Sequence, residues 1–114
     1  MTNECRDNRF EKIKSLLYDA ACENMVNKNL AVTVEGHFIF LLISAIISQA
    51  IIDLDNIYKI HRISAKEYFD SLIFKRHCDL LNIEASTILY IVENRTNFRK
   101  VIGKYDEYEL EDDI

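Results

Sequence analysis

The sequence predicts an all-α protein: a small single-domain bundle of four or five helices whose C-terminal half contains a helix-turn-helix-like pair. Three observations lead to this prediction. The 114 residues include no proline and only two glycines, whereas proteins built from many tight β-turns need more of both. Apolar residues recur at helical spacing. Capping residues precede several of these apolar runs. With 49% hydrophobic residues, the chain can bury one core.

The first predicted helix covers residues 8–26, where Phe10, Ile13 and Leu17 repeat along one side and charged residues occupy the other. A connection over 27–33 follows. Together these features indicate an amphipathic helix that packs through one face.

The second predicted helix covers residues 34–54 and begins after the capping residue Thr33. Its apolar run Phe38–Ile43 covers every face, so we expect a buried central helix with Ile47 and Ile51 in the core. A membrane span is the rival interpretation, but a span needs about 20 apolar residues. Ser44, Ser48 and Gln49 interrupt this run, and His37 and Asp53 bound it.

Two further helices are predicted over residues 65–70 and 72–82. The first follows a capping box that runs from Ser64 to Glu67. The second follows the capping pair Asp70-Ser71 and ends at Asn82, a residue type that tolerates the left-handed conformation. The stretch between Asp53 and Ile63 is expected to be a polar joint.

The last predicted helix covers residues 85–102 and stops at Gly103. The helical domain is therefore expected to span residues 1–104. Residues 105–114 contain six acidic groups and no basic ones, and we expect them to form a disordered tail.

The segment Phe74–Val92 has the apolar spacing of a helix-turn-helix. A small residue stands midway along the first helix, the turn is plugged by an aliphatic residue, and the second helix packs back. The positions that match are Cys78, Leu81, Ile83, Ile88 and Ile91. This spacing predicts a bent helical hairpin, which a purely structural role would also explain.

The charge distribution permits nucleic-acid contact around this hairpin. The formal net charge is −5, but residues 57–104 carry nine basic and five acidic groups, a net charge of +4. The outward face of the second helix offers two carboxylates and a leucine, which are unfavourable beside phosphates: Glu84, Leu89 and Glu93. The candidate DNA-binding residues are Lys75, Arg76, Ser86, Tyr90, Arg95, Arg99 and Lys100.

The sequence contains no enzymatic motif, no metal-ligand spacing and no phosphate-binding loop. His77 and Cys78 are adjacent, so on a helix they point about 100° apart and do not form a nucleophile–base pair. The odd number of cysteines, three, indicates free thiols in a reducing compartment. The polar N-terminus does not look like a signal peptide. We expect a cytoplasmic protein without catalytic residues or cofactors.

Residues 46–92 resemble a family of small uncharacterised phage and prophage proteins. The resemblance runs through SQAIIDL (48–54), AKEYFDSLIFKRHC (65–78) and LLNIEASTI (80–88). Two positions depart from the family pattern: Glu84-Ala85 stands where Asp-Pro is common, and Leu89 where an arginine is common. The resemblance implies an accessory protein acting in a host cytoplasm, with no established activity.

Three functional interpretations follow from these observations. The first is a non-enzymatic phage-type regulator that engages DNA or a DNA-bound complex through the helix-turn-helix-like region. The second is an inhibitor that binds a host defence or transcription protein through its acidic surfaces. The third is a structural module, with a homodimer as one form. No membrane partner is expected.

Overall fold

The structure, a computed structural model, describes the backbone of residues 3–95 and the side chains of residues 9–95. Within this part of the chain there are helices and no strands, which confirms the all-α prediction. The five helices are α1 (Asn3–Asn27), α2 (Val34–Asp53), α3 (Lys59–Phe69), α4 (Leu72–Leu81) and α5 (Ala85–Glu93).

The core lies where α1, α2 and α4 meet, and α1 and α2 form the most extensive helix pair. Helices α1, α2, α4 and α5 contribute buried apolar residues to it, and Tyr68 and Phe69 of α3 pack against it from the edge. The buried residues of this cluster are Ile13, Leu17, Ala21, Phe40, Ile43, Ile47, Ile51, Phe74, Cys78, Leu81, Ile83 and Ile88. Ile47 and Ile51 are among them, as expected for α2. Both belong to the face that packs into the bundle.

The N-terminus of α2 forms as the sequence predicts. The Thr33 side-chain oxygen accepts a hydrogen bond of 2.9 Å from the backbone N–H of Gly36, which satisfies one of the free donors at the helix start. Within the helix, Ser44 and Ser48 are fully buried. The Ser48 hydroxyl donates to the Ser44 carbonyl at 2.7 Å, a common way for serine to satisfy itself inside a helix.

The expectation that α2 is buried on every face is wrong. Phe38 is 68% exposed and Leu42 is 63% exposed. The helices in the described part of the chain are too few to surround α2, so the buried stripe runs through Phe40, Ile43 and Ile47. A run of apolar residues shows that every face of a helix can be buried. The number of neighbouring helices decides whether every face is covered.

The predicted start of α3 is also wrong. Ser64 lies inside the helix rather than at its cap, because α3 begins at Lys59. An Asx turn starts it earlier: the Asn56 side chain accepts a hydrogen bond of 2.8 Å from the Tyr58 N–H. The Arg62 guanidinium donates to the carbonyl of Asn56 at 2.6 Å. These local contacts determine where the helix begins, and the Ser64–Glu67 pattern plays no capping role.

The remaining boundaries fall close to the expected ones. The structure begins α1 at Asn3, five residues before the predicted start at residue 8. The Ser71 side chain caps α4 by accepting a hydrogen bond of 3.3 Å from the Phe74 N–H. In the described residues, α5 ends at Glu93, while positions 96–102 of the predicted last helix lie outside the described residues, as does the acidic tail.

Candidate nucleic-acid interface

The turn between α4 and α5 adopts the geometry expected from the sequence. Asn82 has φ 58° and ψ 36°, which is the left-handed conformation that asparagine tolerates better than most residues. Two backbone hydrogen bonds of 3.1 Å close the end of α4, one from the Asn82 N–H to the Asp79 carbonyl and one from the Ile83 N–H to the Cys78 carbonyl. The chain therefore reverses sharply after α4.

The inner surface of the α4–α5 hairpin is apolar and tightly covered. Cys78, Leu81, Ile83 and Ile88 are all buried, and Ile91 packs against the same cluster from the edge. These are the five positions that the spacing singled out. The predicted bent hairpin is thus present, with its small residue, turn plug and returning helix in the expected places.

Side chains of α1, and of Lys28 just after it, brace this turn from positions distant in sequence. The Asn24 side-chain amide donates to the Asn82 carbonyl at 2.6 Å. The Lys28 ammonium donates to the Asn82 side-chain oxygen at 3.0 Å, and the Asn82 amide donates to the Met25 sulfur at 3.6 Å. Asn82 therefore sets the turn and also anchors it to α1. No local pattern predicts these contacts, because 58 residues separate Asn24 from Asn82.

An open groove of about 460 Å³ lies beside this anchor, between the end of α1 and the start of α5. The groove is polar on the α1 side, where Asn27 and Lys28 line it, and Thr87 lines it from α5. Thr87 is exposed, although the sequence pattern did not select it as a surface residue of the hairpin.

The outward face of α5 presents both polar and apolar groups to solvent. Ser86 is exposed, and Tyr90 is 67% exposed. Leu89 and Glu93 are exposed on the same helix, and Glu84 is exposed at its N-cap. The mixture of chemistries that the sequence predicted for this face is therefore accessible to a partner.

Five of the seven candidate DNA-binding residues lie in the part of the chain that the structure describes. Lys75 and Arg76 are exposed on α4, so their charges are accessible. Arg99 and Lys100 lie outside the described residues. The sequence pattern selected all four as candidate DNA-binding residues without distinguishing between them.

Arg95 is engaged within the chain instead of facing solvent as a free cation. Its guanidinium donates from Nε to the Asp55 carboxylate at 2.9 Å and from Nη1 to the Val92 carbonyl at 2.7 Å. Both members of the ion pair are partly buried, with side-chain exposures of 31% for Arg95 and 19% for Asp55. Because Asp55 is 40 residues away in sequence, the spacing around the hairpin gave no sign of this contact.

Two of the histidines, His37 and His77, also have hydrogen-bond partners within the fold. The His77 Nδ1 atom is hydrogen-bonded to the Tyr68 hydroxyl at 2.8 Å, and the His37 Nδ1 atom to the Tyr18 hydroxyl at 2.6 Å. Burial raises the pKa of the Cys78 thiol to about 11, so the thiol is protonated near neutral pH and is a poor nucleophile. Within residues 9–95, no group of three potential metal ligands occurs.

The chain matches no known family model, no curated protein and no solved structure. The resemblance to phage proteins therefore remains a prediction. Among the described helices, α2 alone has the length and apolar composition of a membrane span, with a mean hydropathy of 1.8 and 33% of its apolar window buried inside the fold.

Proposed function

We propose that this chain is a non-enzymatic regulatory protein, of the phage type that its sequence resembles, which engages DNA or a DNA-bound complex through the α4–α5 hairpin. The observation that supports the proposal is the hairpin itself. A left-handed turn at Asn82 joins two helices over a buried apolar seam, and the second helix keeps its outer face open. Proteins that read DNA place such a helix in the major groove.

The exposed residues suggest how contacts with DNA are divided. Lys75 and Arg76 are accessible cations on the first helix of the pair, which suits contacts to phosphates. Ser86 and Tyr90 are exposed on the second helix and carry hydroxyl groups, which suits contacts to base edges or to the sugar-phosphate backbone. Arg95 has no part in this division because Asp55 holds its guanidinium.

Two acidic residues oppose close approach to a duplex. Glu84 is the N-cap residue of α5 and Glu93 is its last residue, so a carboxylate stands at each end of the exposed helix. Each repels phosphate at short range. We therefore expect weak binding to DNA alone, and this repulsion is the reason for including a DNA-bound protein complex as the target.

A titration with fluorescently labelled duplexes of mixed sequence, followed by anisotropy at several salt concentrations, tests the proposal. Neutralising two phosphate contacts should lower the slope of log affinity against log salt by about 0.9 per contact. The variant K75Q/R76Q should show this decrease in slope. The control K12Q/K66Q removes the same charge from exposed sites on α1 and α3 and should retain the slope. Absence of binding by the unchanged protein at about 50 mM salt would contradict direct contact with DNA.

The chemical character of the outward face of α5 also favours a second function, inhibition of a host protein. Leu89, Tyr90 and the carboxylates of Glu84 and Glu93 suit a basic protein surface with an apolar centre. Truncation after Lys104 separates the two functions, because it removes six carboxylates and changes the formal net charge from −5 to +1. Tighter DNA binding by the truncated chain supports the regulator. Slower association with a basic protein target, with no DNA affinity in either form, supports the inhibitor.

A further inference from the structure

The outer face of α2 is the largest group of exposed apolar side chains on one described helix. Among its residues, Phe38 is 68% exposed and Leu42 is 63% exposed. Further residues on this face are exposed to a smaller extent: Ile39, Leu41 and Ile46. Isolated apolar residues on a surface need no explanation, but a continuous helical face of them marks a contact site.

The spacing along this face is that of a helix-packing seam. Phe38, Leu42, Ala45 and Gln49 follow one another at intervals of four, three and four residues, the repeat by which one helix packs along another. Ala45 is small, which lets a second helix come close. The flanking positions are the aliphatic residues Ile39, Leu41 and Ile46. In many coiled coils the flanking positions carry charged side chains whose salt bridges select the partner. Here the flanking positions are uncharged.

Charged residues stand only at the two ends of this face, Glu35 and Asp53. No Asp, Glu, Lys or Arg occurs between Glu35 and Asp53. The chain as a whole carries a net charge of −5, which gives two copies a net repulsion at long range. The stretch between the two acidic ends of α2 adds no charge to that repulsion.

From these observations we infer that the outer face of α2 is the contact between two copies of the chain, which pack α2 against α2 about a twofold axis. Such a contact uses the same patch on both copies, and this patch needs no charged complement. The inference does not depend on the proposed interaction with DNA.

The available area indicates a reversible dimer. Five large side chains that are between about one third and two thirds exposed provide roughly 500 Å² of apolar surface. A standard stable interface buries about 800 Å² on each partner. With neighbouring rim residues included, we expect a dissociation constant on the order of micromolar.

A lipid surface is a poorer match for this face. Helices that lie on membranes carry Lys or Arg along the border of their apolar face. Here the borders are acidic, with Glu35 at one end and Asp53 at the other. The overall negative charge adds repulsion from anionic lipids.

Sedimentation equilibrium of the full chain between about 1 and 200 µM tests the inference across the concentration range expected from its affinity. The variant Leu42→Glu places a charge in the centre of the seam and should weaken association at least tenfold. The control Leu72→Glu changes the same residue type at the same exposure, 63%, at the first position of α4. That variant should associate like the unchanged protein. Phe38→Lys, at another exposed site on the face, provides a second disruption, and circular dichroism verifies folding.

If something other than a second copy covers the outer face of α2, the same experiments give a distinct result that overturns the inference. A chain that is monomeric at 200 µM but dimerises once residues 96–114 are deleted assigns the face to its own C-terminal segment. A monomer that floats with phosphatidylcholine vesicles, in a manner lost in Leu42→Glu, assigns it to lipid. A dimer that Leu42→Glu and Leu72→Glu affect equally places the contact elsewhere.

Discussion

Asn24 on α1 donates a hydrogen bond of 2.6 Å to the backbone carbonyl of Asn82, the left-handed residue between α4 and α5. The turn that gives the hairpin its shape is therefore held from outside the hairpin. A second left-handed asparagine, Asn29 with φ 59°, follows α1. It provides a control for backbone strain.

We predict that Asn82→Gly is less stable than Asn29→Gly by about 1 kcal/mol, the usual loss for removed hydrogen bonds. Glycine relieves the left-handed strain equally at both sites. Only Asn82 also loses the side-chain bonds that join it to Lys28 and Met25. Urea denaturation of both variants measures the difference. Equal stabilities would show that α1 does not stabilise the turn through that side chain.

Neighbouring isoleucines on α2 provide a test of one-sided burial. Ile47 is 0% exposed and Ile46 is 37% exposed. Ile47→Asp should unfold the domain, because an unpaired buried charge costs several kcal/mol, comparable to the stability of a small domain. Ile46→Asp should leave a cooperative thermal transition in circular dichroism at low protein concentration. A cooperatively folded Ile47→Asp protein would contradict the assignment of the core face.

The ion pair between Arg95 and Asp55 should make a measurable contribution to stability. A double-mutant cycle with Arg95→Ala and Asp55→Ala is expected to give a coupling free energy of about 1 kcal/mol, at the upper end for partly exposed pairs. The pair Lys14–Glu11, at 3.1 Å with Glu11 56% exposed, serves as a control and should couple by about 0.3 kcal/mol. Similar values for the two pairs would mean that the Arg95 contact is an ordinary surface contact.

The buried thiol of Cys78 predicts a loss of stability at alkaline pH. Burial raises the pKa of this thiol from 9.0 to about 11, so the folded state holds the proton more tightly than the unfolded state. The stabilising contribution is complete below pH 9 and is lost as the pH rises through about 11. Urea denaturation between these pH values should show a shallower decline for Cys78→Ala than for the unchanged protein. Parallel declines would refute the role of this thiol. Tyr68, whose pKa burial also raises, is present in both proteins.

The sequence predicts this fold well wherever local chemistry determines it. Thr33 and Ser71 cap their helices, and Asn82 makes the turn, because each acts on its own backbone neighbours. Ser64 was misleading because its capping pattern competes with the Asx turn at Asn56, which begins the helix earlier. A sequence pattern does not show which of two nearby start signals forms better contacts.

The candidate interface was predictable only in part, for a related reason. Lys75 and Tyr90 are exposed as expected, because helical spacing fixes the face on which a residue stands. Arg95 stands near the same hairpin but is paired with Asp55. Whether a charged side chain is available to a ligand depends on distant partners, and only the tertiary structure identifies these partners.

Helix α5 is tied to the rest of the protein just before its start and just after its end. The preceding turn is bonded to α1 through Asn82, and the residue Arg95 beyond its last turn is bonded to Asp55. Contacts at both ends restrict the rotation of the helix about either end. Its backbone is already ordered before any partner arrives, so binding need only immobilise side chains such as Tyr90. This preorganisation lowers the entropic cost of association, whichever molecule the exposed face meets.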